Sequence, residues 1–244
     1  MERITRQGNS FPKTRWSIVA SVDDQDSSVK LRALEKLCRI YWPPLYGFAR
    51  LKGKSKEDAE DLIQGYFSKL LSNESIRNAS ENRGKFRNFL LRGFENFIHD
   101  DWRKTQAQRR GGSSSKTFSI DGEKGEKAID LPDDSLLTPE EAFDLGWAKV
   151  LLEQTLLRLR DRFEVRGKSN DFEAMLPFLG TSGEPNYRET AQKMGKTVES
   201  TRVYVQRFRA AYQECIREEL ADTLTDTADI ETELRSLLAA FTKV

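Results

Sequence analysis

Histidine is almost missing from this chain: His99 is the single one in 244 residues. A histidine-based metal cluster is thereby excluded, and imidazole acid–base chemistry would rest on one isolated ring. Cysteine is nearly as scarce. Cys38 and Cys215 lie far apart, each inside an apolar helical pattern, so both are expected as buried free thiols in a reducing, cytoplasmic setting. No run approaches the roughly 20 apolar residues that cross a bilayer, so no membrane partner is expected. The opening MERITRQGNSFPKTRW has no apolar h-region, so no secretory leader is expected either. A phosphate-binding loop, a nucleophile elbow and a spaced metal-ligand set are all lacking. Asp133 and Asp134 lie in an acidic stretch that is no setting for a catalytic pair. The chain therefore reads as a non-enzyme, with no catalytic residues, no metal and no cofactor. Alternating Val/Ile/Thr runs are scarce too, which argues against strands and for an all-α protein.

Charge and helical pattern are plentiful. Hydrophobic residues make up 37% and charged residues 32%, with a net charge of only +1. That near-neutrality hides local islands. Residues 83–110 carry eight basic side chains against three acids, and residues 187–210 carry six against two. Residues 121–144 carry nine acids against two lysines, and residues 214–235 eight acids against two arginines. Two basic islands between acidic segments suggest two places for a polyanion; solvated helix faces are the blander reading.

The organisation expected is an N-terminal tail (1–13), a helical block (14–104), a flexible linker (105–137) and a second helical block (138–244). Thr14 is placed to cap a helix holding Trp16, Ile18 and Val19. Leu31, Leu34, Leu37, Cys38 and Tyr41 share the next apolar side, which Pro43 and Pro44 are expected to interrupt. SKEDAEDLIQGYFSKLL is the most regular helix: Ser55 with Asp58 makes a capping box, and Ala59, Leu62, Ile63, Tyr66, Phe67, Leu70 and Leu71 follow helical spacing. GKFRNFLLRGFENFIHDDWRK should bury Phe86, Phe89, Leu90, Gly93, Phe94, Phe97, Ile98 and Trp102, leaving Arg92, Asn96, His99 and Arg103 as an outer stripe. Trp102 and Phe97 could stack on bases, but their spacing favours core packing. The linker is rich in Gly, Ser and charge, without apolar period. In LTPEEAF, Thr138 caps, Pro139 takes the first helical position and Glu141 completes the box. A long helix to about Phe163, a shorter one from Asp171 and a final amphipathic one, IETELRSLLAAF, are expected.

The basic island YRETAQKMGKTVESTRVYVQRFRA reads as a helix-turn-helix, with an ordinary helical hairpin as the alternative. Ala191 permits close helix approach, and Gly195, four residues on, permits the positive φ of a tight turn. Met194, Val198, Thr201, Val205 and Phe208 face inward. Arg202, Val203, Gln206 and Arg207 then face outward, and Arg and Gln are the side chains that bond bidentately to base edges. Lys196 and Arg209 flank them and suit phosphates.

Taken together, DAEDLIQGYFSKLL, FRNFLLRGFENFIHDDWRK and YRETAQKMGKTVESTRVYVQRFRAAYQE resemble, in order, three helical elements of bacterial RNA polymerase sigma factors of the extracytoplasmic-function subfamily. They resemble the polymerase-binding helix of region two, the helix that recognises and melts the minus-ten element, and the region-four helix-turn-helix that reads the minus-thirty-five element. TRWSIV, CRIYWPPLY, DLIQGYF, QRRGG and ELRSLLAAF look most like the branch common in planctomycetes and their relatives. The resemblance implies two small helical domains on a flexible tether. It implies core RNA polymerase, through its β′ clamp helices and β flap, and promoter DNA as partners, and admits an anti-sigma factor. By matching positions, Asp61 and Gln64 would meet the clamp helices. Asn96 and Asp100 would lie near the flipped minus-ten base, with Arg92 and Arg103 beside them on the DNA side. Arg202, Val203, Gln206 and Arg207 would face the minus-thirty-five element. Glu199, Val203 and Asp100 depart from the commoner family residues. Asp100 is acidic where a neutral polar side chain is usual, which weakens it as a base contact. A conventional helix-turn-helix regulator that never replaces a sigma subunit, and a helical interaction protein with no DNA role, are the competing readings.

Overall fold

The computed structural model describes residues 27–72, 86–111, 137–180, 185–221 and 230–242. Among these residues there is no strand; the elements are eight α-helices and one 3-10 turn. In chain order they are α1 (Ser27–Leu51), α2 (Lys56–Ser72), α3 (Phe86–Gly111), α4 (Pro139–Glu164), α5 (Ser169–Met175), the 3-10 turn Leu176–Phe178, α6 (Tyr187–Lys193), α7 (Val198–Ala221) and α8 (Ile230–Phe241). The helix expected from Thr14 lies outside the described residues. No described helix is long and apolar enough to cross a membrane.

Pro43 and Pro44 do not interrupt α1, contrary to the sequence expectation; the helix runs through both. Each interior proline costs about 3 kcal/mol. The flanking Tyr41, Leu45, Tyr46, Phe48 and Ala49 are all buried. At about 1.5–3 kcal/mol for each large apolar side chain, their packing outweighs the two breaks. Helix α2 follows the pattern closely: Ala59, Leu62, Ile63, Tyr66, Phe67 and Leu70 are all buried. The Ser55 hydroxyl accepts from Asp58 N at 3.0 Å at its start. Helix α3 crosses α2 where Gly93 meets Tyr66, a β-carbon at Gly93 falling 2.3 Å from the phenol oxygen. The Tyr66 hydroxyl donates to Leu90 O at 2.9 Å, and burial pushes its pKa up. Helix α3 continues to Gly111, past the boundary expected at 104.

At the start of α4 both halves of the expected box are present. Glu141 N donates to Thr138 Oγ1, Thr138 N donates to the Glu141 carboxylate, and Pro139 begins the helix. This helix belongs to two cores. Its first half places Phe143, Trp147, Ala148, Val150 and Leu151 against α1, in one core with α2 and α3. Its second half places Leu159 and Phe163 with Phe172, Met175, Phe178, Val205, Phe208 and Cys215. At 1.5 Å per residue the helix is a strut about 39 Å long. Helix α8 lies on α4 and the end of α7, with Leu237 and Leu220 joining the first core. Cys38 and Cys215 are free thiols, half-buried and buried; burial pushes Cys38 up to about 11 and raises Cys215.

Candidate nucleic-acid interface

The outer face of α3 carries Arg92, Asn96, His99 and Arg103, all exposed. Trp102 joins them: it is 56% exposed, so the sequence expectation of core packing is corrected. Helix α2 runs to Ser72, and its Lys69 lies 3.8 Å from Asp100 of α3. Phe97 is half-buried, with the Lys69 ammonium 5.5 Å above its ring. Asp100 is also 3.3 Å from Arg103. Its carboxylate is thus shared between two cations on the rim, which softens the acid's repulsion of a polyanion.

On α2, Asp61 is exposed and Gln64 half-buried. They sit on the side away from Leu62, Ile63, Tyr66 and Phe67. The Gly93–Tyr66 crossing fixes how this face stands relative to the α3 stripe.

In the second half, Asn186 caps α6 by accepting from Arg188 N and Glu189 N. Thr197 caps α7, its hydroxyl accepting from Ser200 N at 3.1 Å. Between the two helices Gly195 takes φ +62°, the left-handed conformation foreseen for it. Ala191, Thr201, Val205 and Phe208 are buried along the contact. Arg202, Val203, Gln206 and Arg207 are exposed side by side on α7, Val203 at 47%. The Arg202 guanidinium rests 5.7 Å over the Tyr187 ring, which orients it without neutralising it. Glu199 is exposed in the first turn of α7, where a carboxylate suits the helix dipole. Glu189 bonds Lys193 at 2.8 Å, which holds its carboxyl below the usual range.

The flanking cations divide in use. Arg209 Nε donates to Phe178 O at 3.2 Å, so this side chain buttresses the 3-10 turn while its end stays exposed. Lys196 Nζ lies 5.5 Å over the Tyr204 ring, and Lys168 lies 5.9 Å over the same ring. Burial and the hydrogen bond to Asp171 push the Tyr204 hydroxyl up to about 12. Sequence spacing missed Lys168 because 28 residues separate it from Lys196; the basic loop Arg166–Lys168 was the available signal. Helix α4 is clamped to α7 by Arg158 to Glu218 at 3.1 Å and to Glu219 at 2.7 Å, and by Arg162 to Glu218 at 2.6 Å.

The arrangement offers two exposed, partly basic helix faces on two cores, with one indole standing out of the first. Comparison with known proteins identifies the first core. Residues 37–108 match the family model described as Sigma-70 region 2. The match spans α1 from Leu37, α2 and nearly all of α3, so this stretch is similar to a Sigma-70 region 2 domain. This supports a sigma-70 family factor. Searches of curated proteins and of solved structures gave no match.

Proposed function

We propose that the chain is a sigma factor of the extracytoplasmic-function type, of the branch common in planctomycetes, which docks on core polymerase and selects promoters through two helical modules. The observation that carries this reading is the pairing of a region 2 match with a second module whose α7 presents Arg202, Val203, Gln206 and Arg207 outward together. Those side chains would read the upstream duplex in the major groove. A bidentate Arg or Gln contact discriminates by about 1–3 kcal/mol, and Val203 offers apolar contact to a thymine methyl. Lys196 and Lys168 would hold phosphate. In the region 2 module, Asp61 and Gln64 would meet the β′ clamp helices. Asn96, Arg92, Arg103 and Trp102 would face the melted downstream element.

No bond is made or broken in this work. Unstacking a base costs a few kcal/mol, which protein contacts must offset. An indole stacked on the freed base supplies about 1–3 kcal/mol, and cations beside it hold the backbone. Trp102 therefore extends the melting face beyond the residues that the sequence pattern assigned to it.

The test is run-off transcription with purified chain and core polymerase from a related bacterium. Initiation at a discrete start site only when both are present is the expected result. A chain that binds an operator alone, as a dimer, and adds no initiation to a competent core enzyme would support a conventional helix-turn-helix regulator instead.

A further inference from the structure

Arg202 differs from its outward neighbours on α7 in having a support. Its guanidinium carbon lies 5.7 Å from the centre of the Tyr187 ring, within the range at which an aromatic face holds a cation. Arg207, also exposed, has no ring beneath it among the described residues. Tyr187 is the first residue of α6 and is half-buried. Its ring packs on Phe178, with centroids 4.8 Å apart at 57°, and Phe178 is buried in the second core. The backbone oxygen of Phe178 in turn accepts from Arg209 Nε at 3.2 Å. Arg202 and Arg209 are seven residues apart on α7. That spacing is about 20° short of two turns and about 10.5 Å along the axis, so both lie on one stripe. This stripe of α7 grips a short aromatic column at two points: Arg202 on Tyr187, and Arg209 on the backbone of Phe178.

We propose that Tyr187 is a positioning residue for base reading. Backed by Phe178 and anchored through Arg209, its ring fixes the guanidinium plane of Arg202 before DNA arrives. A base-pair preference in the upstream duplex then depends on a side chain that touches no base. The inference rests on the reading of α7 as the upstream recognition helix. A bidentate bond to a base edge needs two N–H groups aimed together in the plane of the base. An arginine loose in solvent samples many rotamers and loses that freedom on binding. One already resting on a ring has less to lose. The ring also leaves the N–H donors of Arg202 available, whereas a carboxylate partner would take two of them and cancel the charge. Core packing does not require this arrangement. A leucine at 187 would still cover Phe178, but it has no electron-rich face to hold a cation.

The experiment offers the full chain with core polymerase a pool of promoters randomised at the upstream element. Preference is read at the base pair that Arg202→Ala relaxes. Tyr187→Leu is expected to reduce that preference by about three- to ten-fold while sparing the other upstream pairs. Tyr187→Phe, which keeps the ring, should stay within about two-fold of the parent chain. Combined with Arg202→Ala, Tyr187→Leu should remove nothing further; combined with Arg207→Ala, its effect should be undiminished. A loss spread evenly over all upstream pairs, a full loss in Tyr187→Phe, or an undiminished effect beside Arg202→Ala would each overturn the proposal. The positioning is also read in the free chain, without polymerase or promoter. The nitrogen-15 order parameter of the Arg202 Nε–H bond should fall in Tyr187→Leu and hold in Tyr187→Phe; equal mobility in the parent chain and Tyr187→Leu refutes it. A parent chain that shows the expected order parameters yet selects no upstream sequence with a competent core enzyme would instead overturn the recognition reading.

Discussion

Gly93→Ala tests whether the α2–α3 crossing sets the geometry of the region 2 face. The new methyl would stand 2.3 Å from Tyr66 Oη and 3.3 Å from Tyr66 Cζ. The hydroxyl cannot stay there, so its 2.9 Å bond to Leu90 O breaks. Losing a buried hydroxyl's partner costs about 1–3 kcal/mol, and overpacking costs about 1–3 kcal/mol more. Alanine returns about 1 kcal/mol of helix propensity. The net expectation is about 1–5 kcal/mol of destabilisation, read from the urea midpoint at unchanged slope. Tyr66→Phe alone should cost about 1 kcal/mol. In the double variant the nearest obstruction becomes ring carbon at 3.3 Å, a contact that small shifts absorb. The pair should therefore lie within about 1 kcal/mol of the parent chain, a coupling of at least about 1 kcal/mol. Additive losses, or a neutral Gly93→Ala, would refute this account of the crossing.

The other expectations concern the two exposed faces. Arg202→Ala and Arg207→Ala should each cost about 1–3 kcal/mol in upstream binding, measured by promoter competition, and relax sequence preference there; equal losses on all sequences would reduce both to phosphate contacts. Asp61→Lys should weaken core polymerase binding in a pull-down titration while leaving the circular dichroism melt unchanged, and undiminished affinity would remove Asp61 from the interface. Trp102→Leu should lower permanganate reactivity of downstream thymines in the open complex by about ten-fold, while Trp102→Phe keeps most of it and closed-complex affinity stays the same. If leucine serves as well as phenylalanine, Trp102 acts through apolar bulk and not through stacking.

Features decided within one or two turns of chain were legible in the sequence. Thr138, Pro139 and Glu141 form the start of α4 as their spacing requires, and Gly195 takes its left-handed turn between two helices whose buried faces were foreseen. The four outward residues of α7 follow from the same register. What the sequence hid depends on neighbours. The two prolines read as a break because the packing that outweighs them comes from α2, α3 and α4. Trp102 falls in the apolar register of α3, yet its indole is 56% exposed, because register within one helix does not say which neighbour covers each position. Phe143, Trp147 and Leu151 announce an apolar face without naming α1 as its partner. Glu233 looks like one more acid in an acidic stretch until Arg87 is found against it.

That last pairing also bears on how the charges of a nearly neutral chain are placed. Among the described residues, acids of the span 214–235 are drawn into pairs inside the fold. Glu218 and Glu219 are spent on Arg158 and Arg162, and Glu233 on Arg87. All six are partly or fully withdrawn from solvent, so a share of each sign is consumed inside the fold. The cations of the α7 face take no part in these pairs. On α7 Arg202, Arg207 and nearby Lys196 stand exposed with only Glu199 close in sequence. On α3 Asp100 is already bridged to Lys69 and Arg103. A polyanion would therefore meet two locally positive surfaces on a body of net charge +1. Attraction of that kind is short-ranged, because beyond about 8–10 Å salt screens the islands and only the balanced total is felt. Each face alone should hold DNA weakly, and firm binding should require both faces on one template, which is the condition a polymerase-bound selector of promoters has to meet.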